Sequence, residues 1–222
     1  MTAAERLAAV RARIDAAARA AGRPPSDVRL VAVSKLQPVE RVRDLVAAGQ
    51  VDFGESRAQE LGVKAAAVDG VRWHFVGRLQ RNKARAVAAT AAWVHSLDRA
   101  ELVPLLARGA GSGAPLSVLV QVTLDGDPER GGADPREVLP LAARVADEPR
   151  LRLAGVMAVA VPGRPARPQF ARLQAIADDL RREHPAAGEI SAGMSADLEA
   201  AVAEGATLVR VGTALFGARA LR

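Results

Sequence analysis

A single (β/α)8 barrel of α/β class is the fold this chain predicts, and three observations point to it. Short apolar, β-branched runs alternate with helical patterns along the chain, eight such runs occur, and 222 residues hold them, near the lower end of the barrel size range. Strict alternation of strand and helix implies parallel pairing, because a parallel connection needs a crossover long enough to contain a helix. A doubly wound open sheet would alternate in the same way, but its first strand would lead into a glycine-rich dinucleotide fingerprint. The sequence there reads Ser34-Lys35-Leu36-Gln37-Pro38 instead.

The first element is a helix over Thr2–Ala21, with Leu7, Val10, Ile14 and Ala18 at helical spacing; Gly22, Pro24 and Pro25 stop it. It precedes the first strand and is therefore extra to the barrel. Val28–Ser34 is the first strand, and Val39–Ala48, closed by Gly49, is the first barrel helix. The unit repeats as Val51–Gly54 with a helix from Ser56, Trp73–Gly77 with a helix from Leu79, and Trp93–Leu97 with a helix from Arg99. Val118–Leu124 follows with a helix from Pro135, then Leu151–Val159 with a helix from Pro168 to near His184. Glu189–Ala192 leads into a short helix from Asp197, and Thr207–Val211 leads into a short helical segment over Ala214–Ala220. Gly109–Pro115, Gly126–Asp134 and Pro162–Pro168 are rich in turn formers and read as loops within one domain spanning residues 1–222.

Composition narrows the chemistry. The chain has 31 basic against 25 acidic residues, interspersed and not blocked into tails, so no specific nucleic-acid partner is called for. No run reaches the length of a membrane span, and the N-terminus has Arg inside an amphipathic pattern, which is the expectation for a cytoplasmic protein. Zero cysteines excludes thiol catalysis and Cys-based metal sites, and zero tyrosines excludes a tyrosine base. No His pair has ligand spacing, so no metal is expected. Lysine stands only at Lys35, Lys64 and Lys83 in an arginine-rich chain, so each deserves scrutiny as a lysine.

If Val31 and Val33 point into the barrel, alternation carries Lys35 there as well, at the C-terminal end of the first strand where barrel active sites lie. Partial burial among apolar neighbours would keep more of that amine neutral and able to form a Schiff base; the alternative is a solvated lysine at a strand end. Lys64 reads as plain surface. Ser191-Ala192-Gly193-Met194-Ser195-Ala196-Asp197 joins the seventh strand to a helix, and Val209-Arg210-Val211-Gly212-Thr213 ends the eighth. The first segment offers backbone N–H groups, a hydroxyl and a helix N-terminus, and the short helical segment over Ala214–Ala220 adds a second set of N–H donors, which together suit a phosphate, against a bland reading of helix capping by Ser195 and a tight turn at Gly212. Arg210 lies in an apolar strand and needs a partner, either an acidic neighbour or a ligand's ring nitrogen. His74, between Trp73 and Phe75, reads as a core imidazole bonded to a neighbour in preference to a base. Asn82 and Met157 are possible lining of the barrel mouth.

An amine on the first strand with a phosphate site at strands seven and eight suggests pyridoxal 5′-phosphate (PLP). Val31-Ala32-Val33-Ser34-Lys35, Phe53-Gly54-Glu55, Trp73 through Lys83, Gly155-Val156-Met157, Gly193-Met194-Ser195 and Val209 through Gly217 occur in order. Together they resemble the YggS/PROSC family of PLP homeostasis proteins, from about Val28 to Arg219. The resemblance implies the alanine-racemase-like barrel of PLP fold type III, with the N-terminal helix and without the racemase's C-terminal β-domain. It also implies Lys35 as the Schiff-base lysine, Ser195, Gly212 and Thr213 at the phosphate, and Arg210 facing the pyridine nitrogen. Ser56 stands where the family has Asn, and Ala192 where it has Met.

An Arg at the pyridine nitrogen disfavours its protonation and weakens the cofactor as an electron sink, and racemisation needs a second base, commonly the tyrosine this chain lacks. The expectation is an intracellular PLP carrier or buffer that passes the cofactor to PLP-dependent apo-enzymes, monomeric because the racemase's dimer-building domain is missing. A weak amino-acid racemase using His74 or an acidic residue, and a Schiff-base barrel aldolase, are the alternatives.

Overall fold

Eight strands, each preceded or followed by a helix, close into one parallel barrel in a computed structural model that describes residues 1–127 and 129–217. The strands are β1 (Arg29–Val33), β2 (Asp52–Glu55), β3 (Arg72–Phe75), β4 (Trp93–Leu97), β5 (Leu116–Gln121), β6 (Leu151–Met157), β7 (Glu189–Ser191) and β8 (Leu208–Val211). Neighbours in sequence are neighbours in the sheet, and β8 pairs with β1 to close it. The helices are α1 (Ala3–Ala20), α2 (Val39–Ala47), α3 (Ala58–Ala67), α4 (Ala84–Thr90), α5 (Val103–Gly109), α6 (Val138–Ala146), α7 (Ala166–Glu183), α8 (Leu198–Ala203) and α9 (Thr213–Phe216).

Alternation along each strand sorts the side chains into two sets. Leu30 and Ala32, Phe53, Trp73 and Phe75, Val118 and Val120, Ile190, and Val209 and Val211 face outward into the layer shared with the helices. Val31, Trp93, Leu119, Ala154, Met157 and Leu208 form a separate apolar cluster inside the barrel. Several other inward positions are polar and buried, among them Asp52, His74, His95, Ser191 and Arg210. A barrel interior with that many polar groups is built for more than packing.

α1 forms because Thr2 and Glu5 make a capping box and because Leu7, Val10, Ile14, Ala17 and Ala18 give it one buried face. It packs along α8, α9 and α2. Three helices, α4, α5 and α6, start behind a 3₁₀ turn, later than the periodicity suggests. After β3 the chain runs through Arg78–Gln80 and a 3₁₀ turn at Arg81–Lys83 before α4, after β4 a 3₁₀ turn at Ala100–Leu102 precedes α5, and a 3₁₀ turn at Pro135–Glu137 precedes α6. Polar residues at those strand ends hold loops before the helical pattern takes over. The expected segment Ala214–Ala220 begins as α9 at Thr213; its end at residues 218–220 lies outside the described residues. No helix is long and apolar enough to cross a membrane among the described residues.

Candidate functional site

The C-terminal rim of the barrel gathers three elements: the turn after β1, the loop after β7 and the end of β8. The register sets Val31 beside Arg210 and Val33 beside Gly54. Gly212, just past β8, approaches the first strand so closely that an added Cβ would stand 3.1 Å from the Val33 carbonyl oxygen. This glycine lets the predicted phosphate end of β8 lie against the strand that carries Lys35. Thr213 and Ala214, the first residues of α9, have N–H groups with no intrahelical acceptor.

Lys35 sits two residues beyond the end of β1 and is exposed. The expectation of partial burial is therefore corrected. The chain leaves the strand at Ser34, the Gln37 N–H donates to the Ser34 carbonyl at 3.0 Å, and Leu36 turns into the left-handed region at φ 60°, so strand alternation no longer governs the side chain. What is buried is the support beneath that turn. Lys64 is only 4% exposed, and its Nζ donates to the Ser34 carbonyl at 2.7 Å and to Glu55 Oε1 at 2.6 Å. Ser34 Oγ donates to the same carboxylate oxygen at 2.6 Å, and Glu60 Oε2 accepts from the Leu36 N–H at 2.7 Å and from Lys64 at 3.2 Å. Lys64 is thus a buried cation that grips the backbone on one side of Lys35, while its neighbour Glu60 grips the other. Burial pushes the Glu55 carboxyl up, opposed by the bonds from Lys64 and Ser34, and its Oε2 has no hydrogen-bond partner.

The loop after β7 is shaped by Gly193. Its φ of 85° suits glycine, and a Cβ there would come within 2.6 Å of the Ala201 Cβ on α8. Its carbonyl accepts the Arg210 N–H at 2.9 Å, which ties the loop to β8. The Met194 N–H donates to Asp197 Oδ1 at 2.6 Å, so that donor is engaged within the loop, and the Met194 side chain is exposed. Ser195 is half-buried and does not cap α8, whose N-cap position is Asp197. Its carbonyl accepts from Arg13 of α1 at 3.1 Å, while Arg6 of α1 donates to the Leu215 carbonyl of α9 at 2.5 Å. One helix therefore braces both loops that sequence reasoning assigned to phosphate, a link carried by two arginines that periodicity alone did not single out.

Arg210 is 5% exposed and finds no acidic partner among the described residues. Its NH1 donates to Ser191 Oγ at 2.5 Å and its NH2 to the Ala158 carbonyl at 2.9 Å. Burial, partly offset by the charge of Asp197, pulls this guanidinium down to about 10, still cationic at neutral pH. Met157 lies in the interior cluster beneath the rim, 1% exposed. Asn82 is placed differently: it is exposed on the 3₁₀ turn after β3, lining an outer groove with Arg81, Arg85 and Leu105. His74 is the bonded core imidazole expected of it, fully buried, stacked on Trp93 and held by Asp52 and His95. His95 is one of the three histidines of the chain, but sequence reasoning assigned it no specific role; its inward register with Trp93 on β4 was the available signal. No group of three potential metal-ligating side chains occurs among the described residues.

A family model, the alanine racemase N-terminal domain, matches residues 6–220. A pyridoxal phosphate homeostasis protein of Pseudomonas aeruginosa is 46% identical over 98% of this chain and 96% of its own length. The chain belongs to the pyridoxal phosphate homeostasis protein family. PipY of Synechococcus elongatus PCC7942, whose structure has been solved with PLP bound, is 38% identical, with a TM-score of 0.85 over 97% of this chain and 100% of that one. An alanine racemase from Corynebacterium glutamicum shares the fold at 16% identity, with a TM-score of 0.68, and this chain spans 62% of it. The barrel is thus of the alanine-racemase type, with a family likeness along almost the whole chain.

Proposed function

We propose that this protein binds PLP at the C-terminal rim of the barrel, anchors it covalently through Lys35, and serves as a carrier or buffer in PLP homeostasis. The observation that carries the reading is Arg210: a buried cation with only neutral acceptors, on the strand that runs into the Gly212–Thr213 end. A guanidinium held by neutral acceptors alone suits a ligand that presents a lone pair, and not a positive charge, at that edge. The residues fit the cofactor in other respects. Gly212 and Gly193 leave room for close backbone approach, the N–H groups opening α9 offer anion donors, and Lys35 supplies a primary amine at the rim of the adjoining strand.

When bound, PLP supplies an aldehyde that a primary amine can attack and a ring that can accept electrons. In this chain Lys35 provides the amine, the loops after β7 and β8 hold the phosphate, and Arg210 keeps the ring nitrogen from being protonated, which limits the ring as an electron sink. The likeness to PipY and to the homeostasis protein of P. aeruginosa supports the cofactor. Carrier action in place of catalysis is supported by the lack of tyrosine and by the burial of His74, whose two ring nitrogens are engaged by Asp52 and His95 and do not reach the rim. The test has two arms. Loaded protein incubated with an apo PLP-dependent enzyme is expected to restore that enzyme's activity, and D/L-alanine exchange is expected to stay at the level of a Lys35→Ala control. Exchange well above that control would contradict the carrier reading.

A further inference from the structure

Five inward side chains on five strands are joined in one hydrogen-bonded row across the barrel. Arg210 on β8 donates to Ser191 Oγ on β7 at 2.5 Å, and Ser191 Oγ lies 2.9 Å from His95 Nδ1 on β4. His95 Nε2 lies 2.9 Å from His74 Nδ1 on β3, and His74 Nε2 lies 2.9 Å from Asp52 Oδ1 on β2. The row ends at the N-terminal rim, where Arg72 meets both Asp52 oxygens at 2.7 and 2.8 Å beside a cleft lined by Arg11, Arg29 and Arg72.

With both imidazoles neutral, the two ends fix the direction of every proton between them. A guanidinium can only donate, and an ionised carboxylate can only accept. Burial would raise the Asp52 carboxyl, but the bonds from Arg72 and His74 outweigh it and hold it well below the usual range, so it stays ionised. Starting from the carboxylate, a neutral His74 carries its proton on Nε2 and donates to Asp52, which leaves Nδ1 to accept from His95 Nε2. A neutral His95 then accepts at Nδ1 from Ser191 Oγ, while that oxygen accepts from Arg210. With both rings neutral, only this arrangement satisfies all four links. A proton added to either ring would turn the Ser191 hydrogen away from His95 and place a further positive charge among Arg29, Arg72 and Arg210.

We propose that Ser191, His95, His74 and Asp52 are positioning residues for Arg210, a one-directional hydrogen-bond chain that fixes where the guanidinium stands and so how the cofactor's ring nitrogen is met. The proposal rests on the reading of Arg210 as the ring-nitrogen residue. Its consequence is that the environment of the cofactor ring is set by a pair of histidines and a carboxylate at the far end of the barrel, none of which touches the cofactor.

The experiment uses the full-length protein in two steps. Long-range proton–nitrogen NMR correlations on histidine-labelled protein are expected to show His74 and His95 both protonated at Nε2 only, unchanged between pH 7.5 and pH 5.5. A signal from an Nδ1-protonated or doubly protonated ring at either residue would overturn the chain, and this arm needs no variant to fold. The second step loads PLP labelled with nitrogen-15 in its ring and compares wild type, Arg210→Gln and Ser191→Ala. Both variants are expected to shift the ring-nitrogen resonance, and Ser191→Ala to weaken binding by about ten- to a hundredfold with the Lys35 linkage still reducible by borohydride. A shift with Arg210→Gln alone would overturn the positioning role, whereas no shift with Arg210→Gln would remove the underlying assignment of Arg210 itself.

Discussion

Lys64 shows how a residue's surroundings decide its role. At i+4 from Glu60 on α3 it has the spacing of an ordinary surface ion pair, and sequence reasoning treated it as surface. The structure buries it beneath the turn that carries Lys35, bonded to Ser34, Glu55 and Glu60. Alternation and spacing report which face a residue occupies, not which loop folds down over it, so this contact was hidden in the sequence. The scarcity of lysine was the one available hint. Removing one member of a buried ion pair strands the other, so Lys64→Met is expected to destabilise the apo-protein by about 3–5 kcal/mol in urea unfolding. Adding Glu55→Leu to Lys64→Met is expected to recover most of that loss. If Lys64→Met alone cost less than about 1 kcal/mol, the pair would not be the support described here.

Among the elements, α1 and the loop after β7 matter most for the site. The helix itself was legible from its periodicity, its capping box and its Gly-Pro-Pro stop. Its function was not, because Arg13 and Arg6 look like two more surface arginines until the fold sets them against Ser195 and Leu215. Arg13 also pairs with Glu199 on α8, with both side chains well exposed, and such pairs contribute little to stability. Arg13→Ala is therefore expected to change the unfolding free energy by less than about 1 kcal/mol, while spectroscopic titration shows weaker PLP binding. Unchanged affinity would mean that α1 does not brace the loop. Gly193→Ala is the sharper perturbation, since the new Cβ meets Ala201 in a backbone conformation that costs about 1–3 kcal/mol for other residues. It is expected to lower phosphate-driven affinity more than Arg13→Ala does. The helix starts that came later than the pattern suggested, at α4, α5 and α6, fall where 3₁₀ turns precede the helices, and periodicity cannot separate such turns from a first helical turn.

For the molecule as a whole, eight alternating units were enough to read the barrel, because strand–helix alternation leaves few parallel architectures. The polar row through its middle was not readable, because alternation places His74, His95 and Ser191 inward without saying that they meet. That row has a consequence for stability. Burial holds both imidazoles below the ordinary histidine value, most strongly at His95, with the nearby positive groups adding to it and Asp52 partly opposing it at His74. The unfolded chain takes up protons at these positions as pH falls through about 6.5, whereas the folded chain does not. Folding free energy present above that pH is therefore lost below it, by up to about 1.4 kcal/mol per pH unit for each histidine, until the folded-state values are reached. Urea unfolding from pH 7.5 to pH 5 should show this slope well above the range where carboxylates titrate. A flat profile would contradict neutral buried histidines.

The covalent anchor is the claim on which the rest of the functional account depends. The purified protein, with PLP added, should show a near-visible absorption band that borohydride abolishes, and peptide mapping of the reduced product should place the pyridoxyl group on Lys35 and lose it in Lys35→Ala. A reduced adduct on Lys64 or Lys83, full occupancy retained in Lys35→Ala, or no band at all in the presence of PLP would contradict it.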